Sequence, residues 1–174
     1  MRGIINEEIG KVFWITGLSG AGKTTIGKLL YNKVRESNRA VVFLDGDTLR
    51  QVFGADLGYT REERYKSAMR NARLCELLAN MGITVICSTI SMFDSVRDWN
   101  REHIKDYCEI YLKVSPKVLL ERNQKGLYEQ EISNLVGFGI DMEEPKKPDI
   151  VFVNDGTQYP QDIVDEIIRF ISLR

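Results

Sequence analysis

The chain has 174 residues, 43% of them hydrophobic, which is enough for a sizeable core in one domain but short for two. Its 24 Lys and Arg residues nearly balance 25 Asp and Glu residues, which excludes a bulk field that would attract nucleic acid or an anionic membrane. We therefore predict a single domain over residues 1–174 that acts on a small molecule.

The N-terminal stretch, MRGIINEEIGK, carries acidic residues where a secretory signal peptide requires an uninterrupted apolar segment. No apolar run approaches the roughly 18 residues of a membrane-spanning helix, so we expect a cytoplasmic protein. The cysteines Cys75, Cys87 and Cys108 are widely spaced in apolar patterns without a CxxC pair. This spacing predicts buried, reduced thiols rather than a zinc site or a disulfide framework.

Five short apolar runs alternate with helical patterns along the chain. This alternation is typical of an α/β domain whose sheet is mostly parallel and buried on both faces, so we expect three layers with helices on both sides of the sheet. The predicted strands are Val12–Ile15, Val41–Leu44, Thr84–Cys87, Ile110–Lys113 and Ile150–Val153.

The first predicted strand leads into Gly17–Thr24, which reads GLSGAGKT and matches GxxxxGK[ST] at every fixed position. In this motif the glycines allow backbone N–H groups to point at phosphate oxygens, Lys23 reaches the β and γ phosphates, and the Thr24 hydroxyl is a ligand for Mg²⁺. The helix that follows directs its positive dipole end at the same phosphates. The sequence therefore predicts a nucleoside triphosphate site.

The second strand runs into Asp45–Arg50, which places two carboxylates and a guanidinium at the carboxyl edge of the sheet, where ligands bind in open α/β folds. A polar turn that caps a short helix would have the same composition. Beside a phosphate loop, an acid of this segment, Asp45 or Asp47, could instead serve Mg²⁺ or accept a proton from an attacking hydroxyl, and Arg50 could hold an anionic acceptor.

The next helix is predicted to begin at Thr60, because the Thr60 hydroxyl and the Glu63 carboxylate form a capping box, and to end at Gly82. Arg64 and Ser67 share one face near its start, although a solvated charged face would have the same pattern. Its inward stripe is expected to contain Tyr65, Ala68, Met69, Ala72, Cys75 and Leu78.

Three later segments complete the pattern. The third strand ends in the small polar turn Ser88–Ser91, which suits the wall of a pocket. A helix from Val118 leads into Glu121–Tyr128, where two cations indicate a mobile lid over about residues 122–139, or else a plain surface loop. Pro160 opens a last amphipathic helix.

Taken together, these segments resemble the adenylylsulfate (APS) kinase family of P-loop kinases over nearly the whole chain. The family patterns GLSGSGKST, LDGDNVR, DLGFSxxDR, ISP and xRDPKGLY correspond in order to GLSGAGKTT, LDGDTLR, DLGYTREER, ISM and ERNQKGLY. The resemblance implies a P-loop kinase fold, ATP and Mg²⁺ as cofactors, and phosphorylation of the ribose 3'-hydroxyl of adenosine 5'-phosphosulfate. Relatives are often dimers, so a homodimer is one possible assembly, and the sequence leaves the oligomeric state open.

Carried over position by position, the resemblance also implies roles for individual residues. Lys23, Asp47 and Lys125 correspond to catalytic positions, and Thr24 to the metal ligand. The implied ATP-binding residues are Gly17, Leu18, Ser19, Gly20, Ala21, Gly22, Lys23, Thr24, Thr25 and Arg122. The implied acceptor-binding residues are Asp47, Arg50, Tyr59, Arg64, Ser67, Ile90, Ser91, Lys125, Leu127 and Phe138.

The departures from the family pattern fall on the acceptor side. Ser67 replaces an Asn, Asp94 replaces an Arg, and Glu129–Glu131 stands where the family continues with basic residues. Acidic residues around an anionic ligand add repulsion. Some relatives with APS-kinase-like sequences phosphorylate other nucleotides at the same ribose hydroxyl, so the resemblance also implies an alternative acceptor: a cytidine diphosphate derivative of the diphosphoramidate type, used in capsule polysaccharide modification.

Two further alternatives come from other protein classes. A GTPase-type switch would share the phosphate loop, but the chain has no NKxD motif and no DxxG after the third strand. A nucleotide-binding regulator without catalysis would be consistent with the altered acceptor side. The presence of Lys23, Thr24, Asp47 and Lys125 together favours a kinase.

Overall fold

The computed structural model describes residues 9–122 and 143–172, which form five β-strands and six α-helices. The strands are β1 (Val12–Thr16), β2 (Val41–Asp45), β3 (Thr84–Ser88), β4 (Tyr107–Lys113) and β5 (Ile150–Val153). The helices are α1 (Lys23–Arg35), α2 (Gly46–Val52), α3 (Arg61–Asn80), α4 (Asp94–His103), α5 (Pro116–Arg122) and α6 (Pro160–Ser172).

The strands form one sheet in the order β2-β3-β1-β4-β5, and every neighbouring pair is parallel. β1 lies at the centre, and all five of its residues are buried. Because all strands point the same way, the loops after β1, β2 and β3 meet at one edge of the sheet.

Helices cover both faces of this sheet. On one face α1 and α6 pack through residues such as Ile26, Leu30 and Ile167, and on the other face α3 and α4 pack through Cys75 and Val96. This arrangement confirms the predicted three-layer α/β architecture. Cys75, Cys87 and Cys108 are free and buried, as predicted.

α3 begins and ends as its sequence predicts. Thr60 and Glu63 form the capping box, and Gly82 adopts a left-handed conformation with φ of +80° after the helix. Hydrogen bonds from Thr60 and from the Gly58 amide lower the pKa of Glu63 below its usual value. Tyr65 differs from the prediction, because it is 37% exposed and contacts the edge of Phe93 rather than the sheet.

β4 begins at Tyr107, three residues before the predicted start at Ile110. The sequence pattern missed this part because Glu109 interrupts the apolar run, although its side chain is completely buried. Arg101 and Arg97 compensate its charge, with Arg101 Nη2 at 2.5 Å and Arg97 Nε at 3.7 Å. Burial raises the pKa of Glu109, and the two arginines oppose that rise.

The start of α5 differs slightly from the sequence prediction. α5 begins at Pro116, two residues before the predicted Val118.

Within residues 9–122 and 143–172, no helix combines the length and the apolar composition needed to cross a membrane. The predicted lid at about 122–139, with Lys125, Leu127 and Phe138, lies outside the described residues except for Arg122.

Candidate functional site

The loop between β1 and α1 has the backbone of a phosphate cradle. Gly20 and Gly22 have φ of +80° and +90°, a backbone region that residues with a Cβ rarely adopt. A Cβ on Gly22 would also lie 2.8 Å from the Asn154 amide nitrogen. Glycine is therefore required here by conformation and by space, and successive N–H groups can turn toward a bound anion.

Lys23 and Thr24 stand at the first turn of α1, where the helix dipole favours negative charge. Lys23 Nζ donates to the Leu18 carbonyl at 2.7 Å, so the ammonium lies over the loop. The Thr24 hydroxyl donates to Asp45 Oδ2 at 2.7 Å. This contact joins the phosphate loop to the end of β2.

Asp45 has a second task, because its other carboxylate oxygen accepts hydrogen bonds from the Asp47 and Thr48 amides and caps α2. The polar turn that the sequence left open is thus a helix cap, and this cap places Asp47 in the first turn of α2. Asp47 lines the same cleft as Lys23 and Thr24. Its two sequence-derived roles, proton acceptor and magnesium holder, both remain open.

The cleft has a volume of about 450 Å³. It lies between the phosphate loop on one side and α2 with the end of β3 on the other. Its lining residues are Ser19, Gly20, Gly22, Lys23, Thr24, Thr25, Asp45, Gly46, Asp47, Ser88, Thr89 and Ile90. Six of the sequence-predicted ATP-binding residues and two of the acceptor-binding residues are among them.

The turn after β3 is tied to the central strand. The Thr89 amide donates to the Ile15 carbonyl at 3.0 Å, and the Thr16 hydroxyl donates to the Ile90 carbonyl at 2.7 Å. Ser91 is buried with φ of +23°, which is strained for a residue other than glycine. Its hydroxyl is buried and has no hydrogen-bond partner among the described residues.

Arg50, Tyr59 and Arg64 form a cluster beside the cleft, which we call the Tyr59 cluster. The guanidinium groups of Arg50 and Arg64 lie 4.2 Å and 5.1 Å from the Tyr59 ring centroid. Arg50 also donates to the Leu57 and Gly58 carbonyls, the latter at 3.0 Å, and Arg64 Nε donates to the Tyr59 carbonyl at 2.9 Å. Burial lowers the pKa of Arg64, and the charge of Arg50 adds to this effect, whereas Tyr59 opposes it.

The Tyr59 cluster lies one helical turn from Asp47, because Asp47 and Arg50 are three residues apart on α2. The Tyr59 side chain is 57% exposed, so its ring is accessible for stacking. Ser67 is half-buried on α3, one turn after Arg64. Lys125, Leu127 and Phe138 lie outside the described residues.

Arg122 borders the opposite end of the phosphate loop. Its guanidinium donates to the Gly20 carbonyl at 3.3 Å and to the Asn154 carbonyl at 3.0 Å. Asn154 in turn donates to the Ala21 carbonyl at 2.9 Å. These contacts place Arg122 beside the residues that the sequence assigns to ATP.

The sequence did not single out Asp45 or Asn154 as site residues. Asp45 was one of two acids after β2, and Asn154 began a turn that could lie near the donor adenine or be a plain turn. Asp45 ends β2 and Asn154 follows β5, and a polar residue at the end of a parallel strand is the only sequence signal for a site role. Their contacts with Thr24 and Ala21 could not be predicted, because the partners are 21 and 133 residues apart in the sequence. Ser88 and Thr89 also line the cleft, as expected for the small polar turn that the sequence indicated as a pocket wall.

The donor atoms of the cleft fit a triphosphate with Mg²⁺. The glycine loop supplies backbone N–H groups and Lys23 supplies a cation for phosphate oxygens. Thr24 and Asp45 offer a hydroxyl and a carboxylate oxygen 2.7 Å apart. Mg²⁺ prefers such a small set of oxygen ligands, completed by water and substrate phosphates.

Comparison with known proteins agrees with this geometry. A family model described as adenylylsulphate kinase matches residues 9–153. The chain is 39% identical over 166 residues to the cytidine diphosphoramidate kinase of Campylobacter jejuni, across 93% of this chain and 96% of that protein. It is 37% identical over 172 residues to the adenylyl-sulfate kinase of Halothermothrix orenii, across 97% of this chain and 92% of that protein.

A solved structure has the same fold. The APS kinase CysC of Mycobacterium tuberculosis, in complex with AMPPNP and APS, superposes with a TM-score of 0.84 at 29% sequence identity. The match covers 94% of this chain and 98% of that chain.

Proposed function

The chain belongs to the adenylylsulphate kinase family, and on this premise we propose that it transfers the γ-phosphoryl group of ATP to the ribose 3'-hydroxyl of a small nucleotide. Members of this family are phosphotransferases. The bound AMPPNP of the solved relative supports a nucleoside triphosphate as donor.

The proposal rests on the residues that line a single cleft. One wall holds the phosphate loop with Lys23 and Thr24, and the other wall holds Asp47 and the Ser88–Ile90 segment. A donor phosphate and an acceptor hydroxyl can therefore meet without a covalent enzyme intermediate. Such an arrangement accelerates transfer by positioning and by charge stabilisation.

Each residue of the donor wall has a stated task in this proposal. The loop Gly17–Thr25 holds the phosphates through its backbone, and Lys23 stabilises the negative charge on the transferring group. Thr24 and Asp45 would hold Mg²⁺, which when bound offsets phosphate charge. Arg122 lies against the donor base.

The acceptor wall receives the nucleotide. Asp47 orients the ribose hydroxyl and accepts its proton as the new bond forms. Tyr59 stacks on the base, while Arg50 and Arg64 bind the anionic 5' substituent. The remaining acceptor-binding residues in this proposal are Ser67, Ile90, Ser91, Lys125, Leu127 and Phe138.

The first candidate acceptor is adenosine 5'-phosphosulfate. The family match over residues 9–153 supports it, together with the relative from Halothermothrix orenii. The Tyr59 cluster supports it as well, because it places two guanidinium groups around one aromatic ring, a combination that suits a base with an anionic substituent.

The second candidate is a cytidine diphosphate derivative of the diphosphoramidate type. The relative from Campylobacter jejuni, with 39% identity, supports it. A structural observation adds to this support, because Asp94 places a carboxylate at the end of the turn that follows β3, bound to Arg97 and Lys146. A family arginine at this position would instead add positive charge.

The position of the new phosphate tests the proposal. The purified protein is incubated with MgATP and each acceptor, and the product is isolated and analysed by phosphorus–proton NMR correlation. We expect the new phosphorus to couple to the ribose 3' proton. Coupling to the 5' substituent, or transfer of phosphate to water alone, would contradict the proposed reaction.

A further inference from the structure

We propose that Glu143 is a positioning residue that holds the acceptor turn against the start of α3, and that it thereby sets the affinity for the acceptor nucleotide. The acceptor turn is here the segment Ile90–Asp94. The inference rests on the proposed function, because it concerns the acceptor half of that site. Glu143 is far in sequence from both of the segments that it joins.

Glu143 makes three contacts with these segments and a fourth with Arg97 of α4. Its amide donates to the Met92 carbonyl at 3.1 Å, and its Oε2 accepts from the Asp94 amide at 2.6 Å. Its carbonyl accepts from Arg97 Nη2 at 2.6 Å. Its Oε1 accepts from the guanidinium of Arg61, the first residue of α3.

The acceptor turn depends on contacts of this kind because its backbone is strained at Ser91, where φ is +23°. Arg97, which is 2% exposed, donates to the Ser91 carbonyl at 3.3 Å and lies beside the buried Glu109 of β4. One side of the turn is thus anchored to the sheet. Glu143 supplies the link from the same turn to α3.

The link to α3 bears on acceptor binding through Arg64, which follows Arg61 by one turn of the same helix. The Arg61 guanidinium also lies 5.3 Å from the Phe93 ring centroid, so the helix start and the turn share a second contact. Loss of the Glu143 carboxylate would therefore loosen Arg64 relative to Ile90 and Ser91. The donor loop has separate anchors at Asp45 and Asn154.

The test compares Glu143→Ala with Glu144→Ala. Glu144 is the adjacent glutamate, and its carboxylate pairs with Lys113 at 3.1 Å rather than with the turn or α3. Charge-assisted hydrogen bonds contribute enough that we expect KM for the acceptor to rise about tenfold or more in Glu143→Ala. KM for ATP should stay within about twofold, and Glu144→Ala should behave like the wild-type enzyme.

A double-mutant cycle separates positioning from general loss of structure. If Glu143 acts through Arg61, then Arg61→Ala in the Glu143→Ala background should raise the acceptor KM by less than it does alone. If Glu143→Ala does not fold, Glu143→Gln replaces it, because the amide keeps an acceptor for the Asp94 N–H but loses the charge that faces Arg61.

The outcomes are distinguishable. An unchanged acceptor KM in a folded Glu143 variant, or equal increases in the KM values for ATP and acceptor, would overturn the inference while leaving the proposed function intact. Failure of the wild-type protein to phosphorylate any nucleotide acceptor would instead overturn the proposed function.

Discussion

Three features of the structure determine the position of Lys23. The glycine loop frees the backbone, α1 begins at Lys23, and the ammonium lies over the loop with Nζ 2.7 Å from the Leu18 carbonyl. In the proposed reaction, a point charge held there would stabilise the transferring phosphoryl group more than the bound substrate.

We therefore expect Lys23→Ala to lower turnover by about 10³-fold or more. Lys28→Ala, an exposed substitution one turn further along α1, is the matched control and should leave turnover unchanged. Single-turnover rates with MgATP and acceptor measure the effect. Near-normal rates in Lys23→Ala would exclude the role.

Asp45 and Asp47 are two residues apart and have different surroundings. Asp45 contacts the Thr24 hydroxyl, whereas Asp47 lines the cleft from the first turn of α2. We expect Asp47→Asn to lower turnover by about 10²-fold or more while KM for ATP is retained. A parallel rise in KM for ATP would instead assign Asp47 to the metal.

Asp45→Asn provides the contrast for this pair. Asn remains a good N-cap for α2, so the substitution removes charge while largely keeping the cap. We expect KM for ATP to rise at limiting Mg²⁺ and to recover partly at high Mg²⁺. An effect on the acceptor KM alone would contradict the placement of Asp45 on the donor side.

At the scale of elements, the sequence predicted α3 well because its start carries local chemistry. Thr60 and Glu63 are three residues apart, and the Glu63 carboxylate accepts from the Thr60 amide at 3.2 Å and from its hydroxyl at 2.7 Å. The prediction that Tyr65 faces the sheet was wrong. Helical spacing predicts on which side of α3 a residue lies, but it does not predict which residue it contacts there, and Tyr65 contacts Phe93.

The cap can be tested with two adjacent glutamates. We expect Glu63→Ala to lower the free energy of unfolding measurably, because it leaves the Thr60 amide without its capping partner. Glu62→Ala removes only an exposed i,i+4 pair with Lys66 and should lower the free energy of unfolding by a clearly smaller amount. Equal losses in urea denaturation would show that the capping box does not stabilise α3.

At the scale of the whole molecule, the parts predicted from sequence are those encoded by neighbouring residues. The strands, the phosphate loop and the layer order follow from periodicity and from a contiguous motif. The group of Arg97, Glu109 and Glu143 was not predictable, because Arg97 contacts Glu109 and Glu143 from 12 and 46 positions away in the sequence. From sequence alone, charged residues are expected to be exposed to solvent, so the burial of Glu109 is visible only in the folded structure.

The pH dependence of global stability reports on Asp94 at the edge of this group. Burial acts to raise its pKa, but hydrogen bonds from Lys146 and Arg97 outweigh burial and lower it below its usual value. A lowered pKa in the folded state means that the stabilisation is present at neutral pH and is lost as the pH falls below about 4.

We therefore expect wild type and Asp94→Asn to differ most in unfolding free energy near neutral pH and to converge as the pH falls below about 4. Urea denaturation across this range measures the difference. A difference that stays constant or grows on acidification would contradict the assigned ion pairs.

The measurement that tests the central claim most directly is acceptor-dependent formation of ADP from MgATP. Purified protein is assayed with adenosine 5'-phosphosulfate and with cytidine and uridine diphosphate derivatives, side by side with Lys23→Ala. We predict that at least one of these nucleotides stimulates ADP formation by the wild-type protein and not by the variant. ADP formation that is the same with and without every acceptor would contradict the assignment of this cleft to nucleotide phosphorylation.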